Sequence, residues 1–124
     1  MRFVWLGLGC ALALGACGRP VTAPTQRGVC WFMIEGRDGE PDFKPFVTGI
    51  ENLESCAARL EGAYVRSGQP VRGAFQGRFI FVDEADVTAG PKLKGQHYRV
   101  FTPQQRAEIR ANVRTLRQRD REGR

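Results

Sequence analysis

The chain has few residues that could perform catalytic chemistry. His97 is its only histidine, so a metal site built on two histidines is excluded. A serine nucleophile paired with this histidine would have to be Ser55 or Ser67, and the helix predicted below does not bring either beside His97. We therefore interpret His97, which precedes Tyr98 on a predicted strand, as a surface or sheet-edge residue.

An acidic cluster formed by Asp83, Glu84 and Asp86 follows a predicted strand. Paired carboxylates can bind calcium weakly or perform acid–base chemistry. The spelling Asp-Glu-Ala-Asp also occurs in a helicase motif, but no glycine-rich phosphate loop ending in Gly-Lys-Ser or Gly-Lys-Thr accompanies it. Acidic residues after a strand commonly form a turn, so we predict no catalytic residue, no cofactor and no metal ion.

The amino-terminal residues have the pattern of an export signal. Arg2 precedes an apolar stretch, residues 3–16, of the length expected for the hydrophobic region of a signal peptide. The stretch ends in Leu14-Gly15-Ala16-Cys17, which resembles the lipobox of bacterial lipoproteins. The resemblance covers residues 1–17 only. It implies that residues 1–16 are removed and that Cys17 carries a diacylglycerol.

A transmembrane helix and a plain secretory signal are the alternatives. At about 1.5 Å per residue the apolar stretch reaches only roughly 20 Å, short of a hydrocarbon core of roughly 30 Å. Gly18 follows the predicted lipidated cysteine, where an aspartate retains well-studied lipoproteins at the inner membrane. We therefore expect the outer membrane, facing the periplasm, with the inner membrane and the cell surface as alternatives.

The lipobox leaves two cysteines for the mature domain. Cys10 leaves with the signal peptide and Cys17 carries lipid, so Cys30 and Cys56 remain in an oxidising compartment. We predict a disulfide between them, with two separate buried thiols as the alternative. In the chain-entropy account such a bridge would stabilise the fold by roughly 3.5 kcal/mol.

The remaining chain divides into a tether and one domain. Residues 17–27 contain the lipidated cysteine and a polar, proline-containing segment, which predicts a flexible tether. Residues 28–124 suffice for a single small core. Strands are predicted at 29–34, 75–82 and 96–101, whereas Pro41 and Pro45 predict a loop over 40–50.

Two helices complete the predicted domain. Over residues 52–67 the apolar residues fall on one face, Asn52 can cap the start and Gly68 the end. A second helix begins after Thr102 and Pro103, with Gln105 completing a capping box, and extends to about residue 119. The predicted fold class is α+β, a β-α-β-β-α domain with about three antiparallel strands, two helices and one disulfide.

The predicted strands are apolar on both faces, because side chains alternate along a strand. One face is expected to carry Cys30. The other face is expected to carry Trp31, Met33, Ile80 and Val82. In the first interpretation the two helices cover the two faces and give three layers. In the second, the face of these four residues stays partly open and binds another envelope protein.

The composition is basic, with 19 Lys and Arg against 13 Asp and Glu and a formal net charge of +6. Arginines recur at three- and four-residue steps along the C-terminal helix and so form one stripe. They are Arg106, Arg110, Arg114, Arg117 and Arg121. The stripe is either an ordinary solvated face or a contact for lipid head groups, lipopolysaccharide phosphates or an acidic protein. No nucleic-acid module is recognisable, so we expect no nucleic-acid partner.

These patterns predict a membrane-anchored, non-catalytic envelope lipoprotein. It would act as an accessory, scaffold or assembly factor through protein or anionic-surface contacts. The alternative is a small envelope hydrolase or enzyme inhibitor that uses Asp83, Glu84 and Asp86.

Overall fold

A computed structural model describes residues 20–123, so the predicted signal peptide and Cys17 lie outside the described residues. The described chain is an α+β domain with two helices and a six-stranded antiparallel sheet. Its elements are β1 (Cys30–Glu35), β2 (Pro41–Val47), α1 (Leu53–Ser67), β3 (Val71–Phe75), β4 (Arg78–Val82), β5 (Val87–Gly90), β6 (Tyr98–Arg99) and α2 (Pro103–Glu122). The strand order is β2-β1-β3-β4-β5-β6. Neither described helix combines the length and the apolarity that a membrane span requires.

Both predicted helices are confirmed, together with both ends of α1 and the start of α2, whereas α2 continues to Glu122 and not only to about residue 119. The backbone N–H of Ser55 donates to the side chain of Asn52 at 2.8 Å, and Gly68 adopts the left-handed conformation with φ 72°. At the start of α2 the side chains of Thr102 and Gln105 each accept a hydrogen bond from the other's backbone N–H. These ends depend on residues three or four positions apart, which is why the sequence alone predicts them.

The α+β class is confirmed, but the prediction of three strands is wrong. Residues 41–47 form β2, although Pro41 and Pro45 predict a loop there. β2 lies at the edge of the sheet and pairs only with β1. An edge strand needs ladder hydrogen bonds on one side alone, so it tolerates proline.

The second predicted strand, 75–82, is part of a hairpin. Gln76 and Gly77 both have positive φ, 43° and 87°, as a two-residue type I′ turn requires. β3 therefore ends at Phe75 and β4 begins at Arg78. The third predicted strand, 96–101, is reduced to the two residues of β6, and β5 has no counterpart in the prediction.

The pairing of the strands also corrects the predicted faces. Trp31 lies opposite Ala74 on β3, and Ala74 lies opposite Phe79 on β4, so Trp31 and Phe79 share a face. Trp31 and Met33 therefore do not share a face with Ile80 and Val82. The error arises because β3 lies between β1 and β4, and its register sets the side of each residue.

The two faces carry two separate apolar clusters. The helix-side core contains Ile80 and Val82 with residues of both helices. The aromatic face, on the other side of the sheet, has Ala23, Met33, Ala74 and Phe79 buried, and Val21, Trp31, Phe43, Phe81 and Leu93 partly buried. α1 packs on β3 and β4, and α2 packs on α1. The domain therefore has two layers, and the expected third layer is absent from residues 20–123.

The packed domain begins before residue 28, where its boundary is predicted. Val21 and Ala23, in the segment predicted to be a tether, pack on the aromatic face. The carbonyl of Pro24 accepts a hydrogen bond from the backbone N–H of Gly77 at 2.8 Å. The part of the tether that is described is thus attached to the sheet.

The predicted disulfide between Cys30 and Cys56 is confirmed. Both residues are fully buried and their Cα atoms are 5.3 Å apart. The bridge joins β1 to α1 across the helix-side core. Gly73 allows α1 to pack closely on the sheet, because a Cβ there would collide with the carbonyl of Trp31 and with Leu60 on α1.

Replacing Cys30 and Cys56 together by alanine should lower the free energy of unfolding of the mature protein by about 2–5 kcal/mol. Urea unfolding followed by circular dichroism measures the change. Wild-type protein reduced under denaturing conditions and blocked with a small alkylating reagent should lose a similar amount. An unchanged urea midpoint in both samples would show that the bridge does not stabilise the fold.

Candidate functional site

A buried carboxylate joins the two helices. Glu61 on α1 has no solvent exposure and lies between two arginines of α2. Its Oε2 accepts a hydrogen bond from Arg106 Nε at 2.9 Å, and its Oε1 accepts one from Arg110 Nε at 2.7 Å. Each arginine uses one carboxylate oxygen, so the ion pair is a three-residue network.

Glu61 was not predicted as a site residue, although a sequence signal was present. It lies four residues after Ala57 and three before Tyr64, at the edge of the apolar face of α1. A carboxylate at that position needs a buried cationic partner. The arginine stripe of the C-terminal helix could have suggested one.

Arg106 is fully occupied by contacts within the domain. It is 7% exposed. Besides Glu61 it donates to the backbone carbonyls of Asp83 and Glu84, in the turn between β4 and β5. Its guanidinium also lies 5.5 Å from the ring centroid of Tyr64. Arg106 thus ties α2 to α1 and to the sheet, and is not available to an external partner.

Arg110 is held in a similar way. Its guanidinium lies 5.4 Å from the centre of the Tyr64 ring. The hydrogen bond to Glu61 raises the pKa of Arg110 above its usual value, and the effect outweighs the desolvation that burial causes. Arg110 therefore stays protonated at any physiological pH and shares the single negative charge of Glu61 with Arg106.

The predicted stripe of five arginines thus consists of two groups. Arg106 and Arg110 stabilise the contact between the helices, whereas Arg114, Arg117 and Arg121 are exposed. Every residue of the segment 114–123, which we name the α2 tail, is exposed, and Val113 is the last half-buried position before it. Such a segment extends about 15 Å along the helix axis.

The α2 tail is strongly basic. It contains four arginines against Asp120 and Glu122. Within residues 20–123 the ion pairs join Arg99 to Asp86 and both Arg106 and Arg110 to Glu61, and none includes an arginine of the tail. Leu116 is 59% exposed and lines a shallow cavity of about 370 Å³ together with Arg66 and Arg117. The tail therefore presents unpaired cations beside an exposed apolar side chain.

The acidic cluster forms a turn. Asp83 Oδ1 accepts hydrogen bonds from the backbone N–H groups of Ala85 and Asp86, both at 2.9 Å. Asp86 pairs with Arg99 at 3.0 Å. Glu84 and Asp86 also line a cavity of about 390 Å³ beside the first half of α2. No three His, Cys, Asp or Glu side chains in the described range are placed to hold a metal ion.

His97 packs the loop 91–97 onto the aromatic face. Its ring stacks on Phe81 with 4.5 Å between the ring centroids, and its Nε2 lies 2.9 Å from the carbonyl oxygen of Lys92. Gly90 makes room for the ring, because a Cβ there would collide with it. The prediction of a surface or sheet-edge residue on a strand is therefore wrong, because His97 lies in the loop before β6 and is half-buried on the aromatic face.

The structure therefore separates the predicted partner residues into two surfaces. The exposed arginines lie on the helix layer, and Trp31 and Met33 lie on the opposite side of the sheet, while Ile80 and Val82 are buried beneath the helices. No protein family model, curated protein or solved structure matches this chain.

Replacing Glu61 by glutamine should lower the free energy of unfolding by about 3–5 kcal/mol, because it leaves the charge of Arg106 buried without its partner. Thermal or urea unfolding measures the loss. Glu108→Gln, an exposed substitution on α2, is the matched control and should change stability by less than about 0.5 kcal/mol. Equal stability of the two variants would contradict the role of the buried network.

Proposed function

We propose that this protein is a lipid-anchored, non-catalytic lipoprotein of the bacterial envelope. It acts as an accessory, scaffold or assembly factor by holding an acidic protein partner on the α2 tail. The lipobox Leu14-Gly15-Ala16-Cys17 supports the anchor. The disulfide supports export, because such bridges form and persist in oxidising compartments.

The observation that carries the proposed contact is the state of the α2 tail. Most helices in proteins are stabilised by packing of one face, but every residue of the α2 tail is exposed. Within residues 20–123 no acidic side chain forms an ion pair with its arginines. Guanidinium groups bind carboxylates through paired hydrogen bonds. Leu116 adds an apolar contact beside them, which favours an acidic protein segment over a purely charged polymer.

The position of the tail also favours a protein over the anchoring membrane. The helices lie on one side of the sheet, whereas Val21, four residues after Cys17, packs on the other. Anionic lipid head groups and lipopolysaccharide phosphates also bind arginine, so experiments must distinguish them from an acidic protein. The alternative of a hydrolase or inhibitor is less well supported, because Asp83 holds a turn and Asp86 is neutralised by Arg99.

Replacing Cys17 by serine should abolish incorporation of a clickable palmitate analogue and leave residues 1–16 uncleaved, because cleavage at a lipobox follows lipidation of its cysteine. Cys10→Ser is the matched control and should leave both unchanged, because Cys10 lies within the predicted signal peptide. Labelling that survives the Cys17 substitution would contradict the anchor.

Replacing Arg114, Arg117 and Arg121 by glutamine should weaken binding to immobilised poly-glutamate roughly tenfold, since each exposed charge contributes a fraction of a kcal/mol. Biolayer interferometry at low and physiological salt measures the change. The matched control replaces three exposed arginines on other elements, Arg37, Arg59 and Arg72. An equal loss in the control would show that net charge alone binds the acidic polymer. A larger loss of binding to phosphatidylglycerol vesicles than to poly-glutamate on these three substitutions would favour lipid instead.

A further inference from the structure

We propose that the aromatic face of the sheet, together with Lys92 and Lys94, rests on the head-group layer of the membrane that holds the protein. The inference depends on the lipidation of Cys17 in the proposed function and adds the orientation of the domain. It assigns a membrane contact to a surface that carries the predicted partner residues Trp31 and Met33.

The first support is the short distance between the anchor and the packed chain. Val21 and Ala23 pack on the aromatic face, and Pro24 is hydrogen-bonded to the hairpin turn. Only four peptide units separate Cys17 from Val21, and even a fully extended chain spans at most about 14 Å over that length. Because the lipidated cysteine must lie at the membrane surface, Val21 must lie within that distance of it.

The second support is the chemistry of the surface around Val21. Neither helix covers this side of the sheet, and Trp31, Phe43 and Phe81 remain partly accessible there. Aromatic rings, tryptophan above all, are enriched at the level of lipid head groups, where an amphipathic ring contacts both polar and apolar neighbours. A face of this composition close to an acyl anchor fits that layer.

The third support is charge complementarity. Leu93 packs on the aromatic face, and its neighbours Lys92 and Lys94 are exposed in the same loop. Glu35 and Arg72, the charged residues of β1 and β3 on this face, have opposite signs, and Arg99 of β6 is paired with Asp86. Lys92 and Lys94 therefore add positive charge that the charged residues of these strands do not offset, and each strengthens association with an anionic surface by roughly fivefold.

Trp31 provides a direct test, because Trp5 lies in the predicted signal peptide and Trp31 is then the only tryptophan of the mature protein. The lipidated protein is reconstituted in vesicles of phosphatidylethanolamine and phosphatidylglycerol that contain lipids brominated near the head group. We expect the emission of Trp31 to fall roughly twofold relative to vesicles without bromine, as befits an aromatic residue at the interface.

Two controls make the orientation specific. In the double variant that combines Trp31→Phe with Leu116→Trp, the single tryptophan lies on the α2 tail. The brominated lipids should not quench its emission. Lys92→Gln combined with Lys94→Gln should reduce the quenching of Trp31, whereas Lys44→Gln on the edge strand should not.

The outcomes separate this inference from the anchor itself. If the protein does not float with the vesicles, the anchor and the orientation both fail. If it floats but Trp31 is unquenched, or is quenched no more than the probe at position 116, the orientation alone is wrong. Unquenched Trp31 in a protein that sediments as a dimer would assign the aromatic face to a second copy of the chain.

Discussion

The structure depends on the carboxylate of Glu61, which is buried without solvent contact between two arginines of the other helix. A buried charge is costly unless it is paired and hydrogen-bonded, so this residue requires α2 to lie alongside α1. Arg106 extends the same network to the carbonyls of the turn between β4 and β5. Through Arg106 this carboxylate links both helices to the turn between β4 and β5, and the disulfide holds α1 on β1 within the helix-side core.

Placing both helices on one side leaves the sheet with two unlike surfaces. The helix layer ends in a basic α2 tail, whereas the opposite side is an aromatic face on which, within the described residues, Val21, Ala23 and the loop that contains Leu93 pack. The segment that leads from the predicted anchor packs on this second side. In the orientation that we propose, the sheet faces the membrane and the helices point away from it.

Three residues whose side chains could take part in catalysis, His97, Asp83 and Asp86, instead stabilise the fold. His97 fixes a loop through stacking on Phe81 and a contact with the carbonyl of Lys92. Asp83 accepts two backbone hydrogen bonds and Asp86 an ion pair. These groups are held in local contacts that satisfy their polar atoms, and a small domain has few other residues with which to close its turns.

The sequence by itself determined both helices with their caps, the α+β class and the Cys30–Cys56 pairing, because these depend on short-range patterns or on the few cysteines available. Only the tertiary structure decided that residues 41–47 form an edge strand and that Trp31 shares a face with Phe79 and not with Ile80. It also divided the arginine stripe into buried and exposed residues, since Glu61 is 45 positions from Arg106 and 49 from Arg110. Strand register and contacts between residues far apart along the chain produce no local sequence periodicity. They can therefore be identified only from the packed structure.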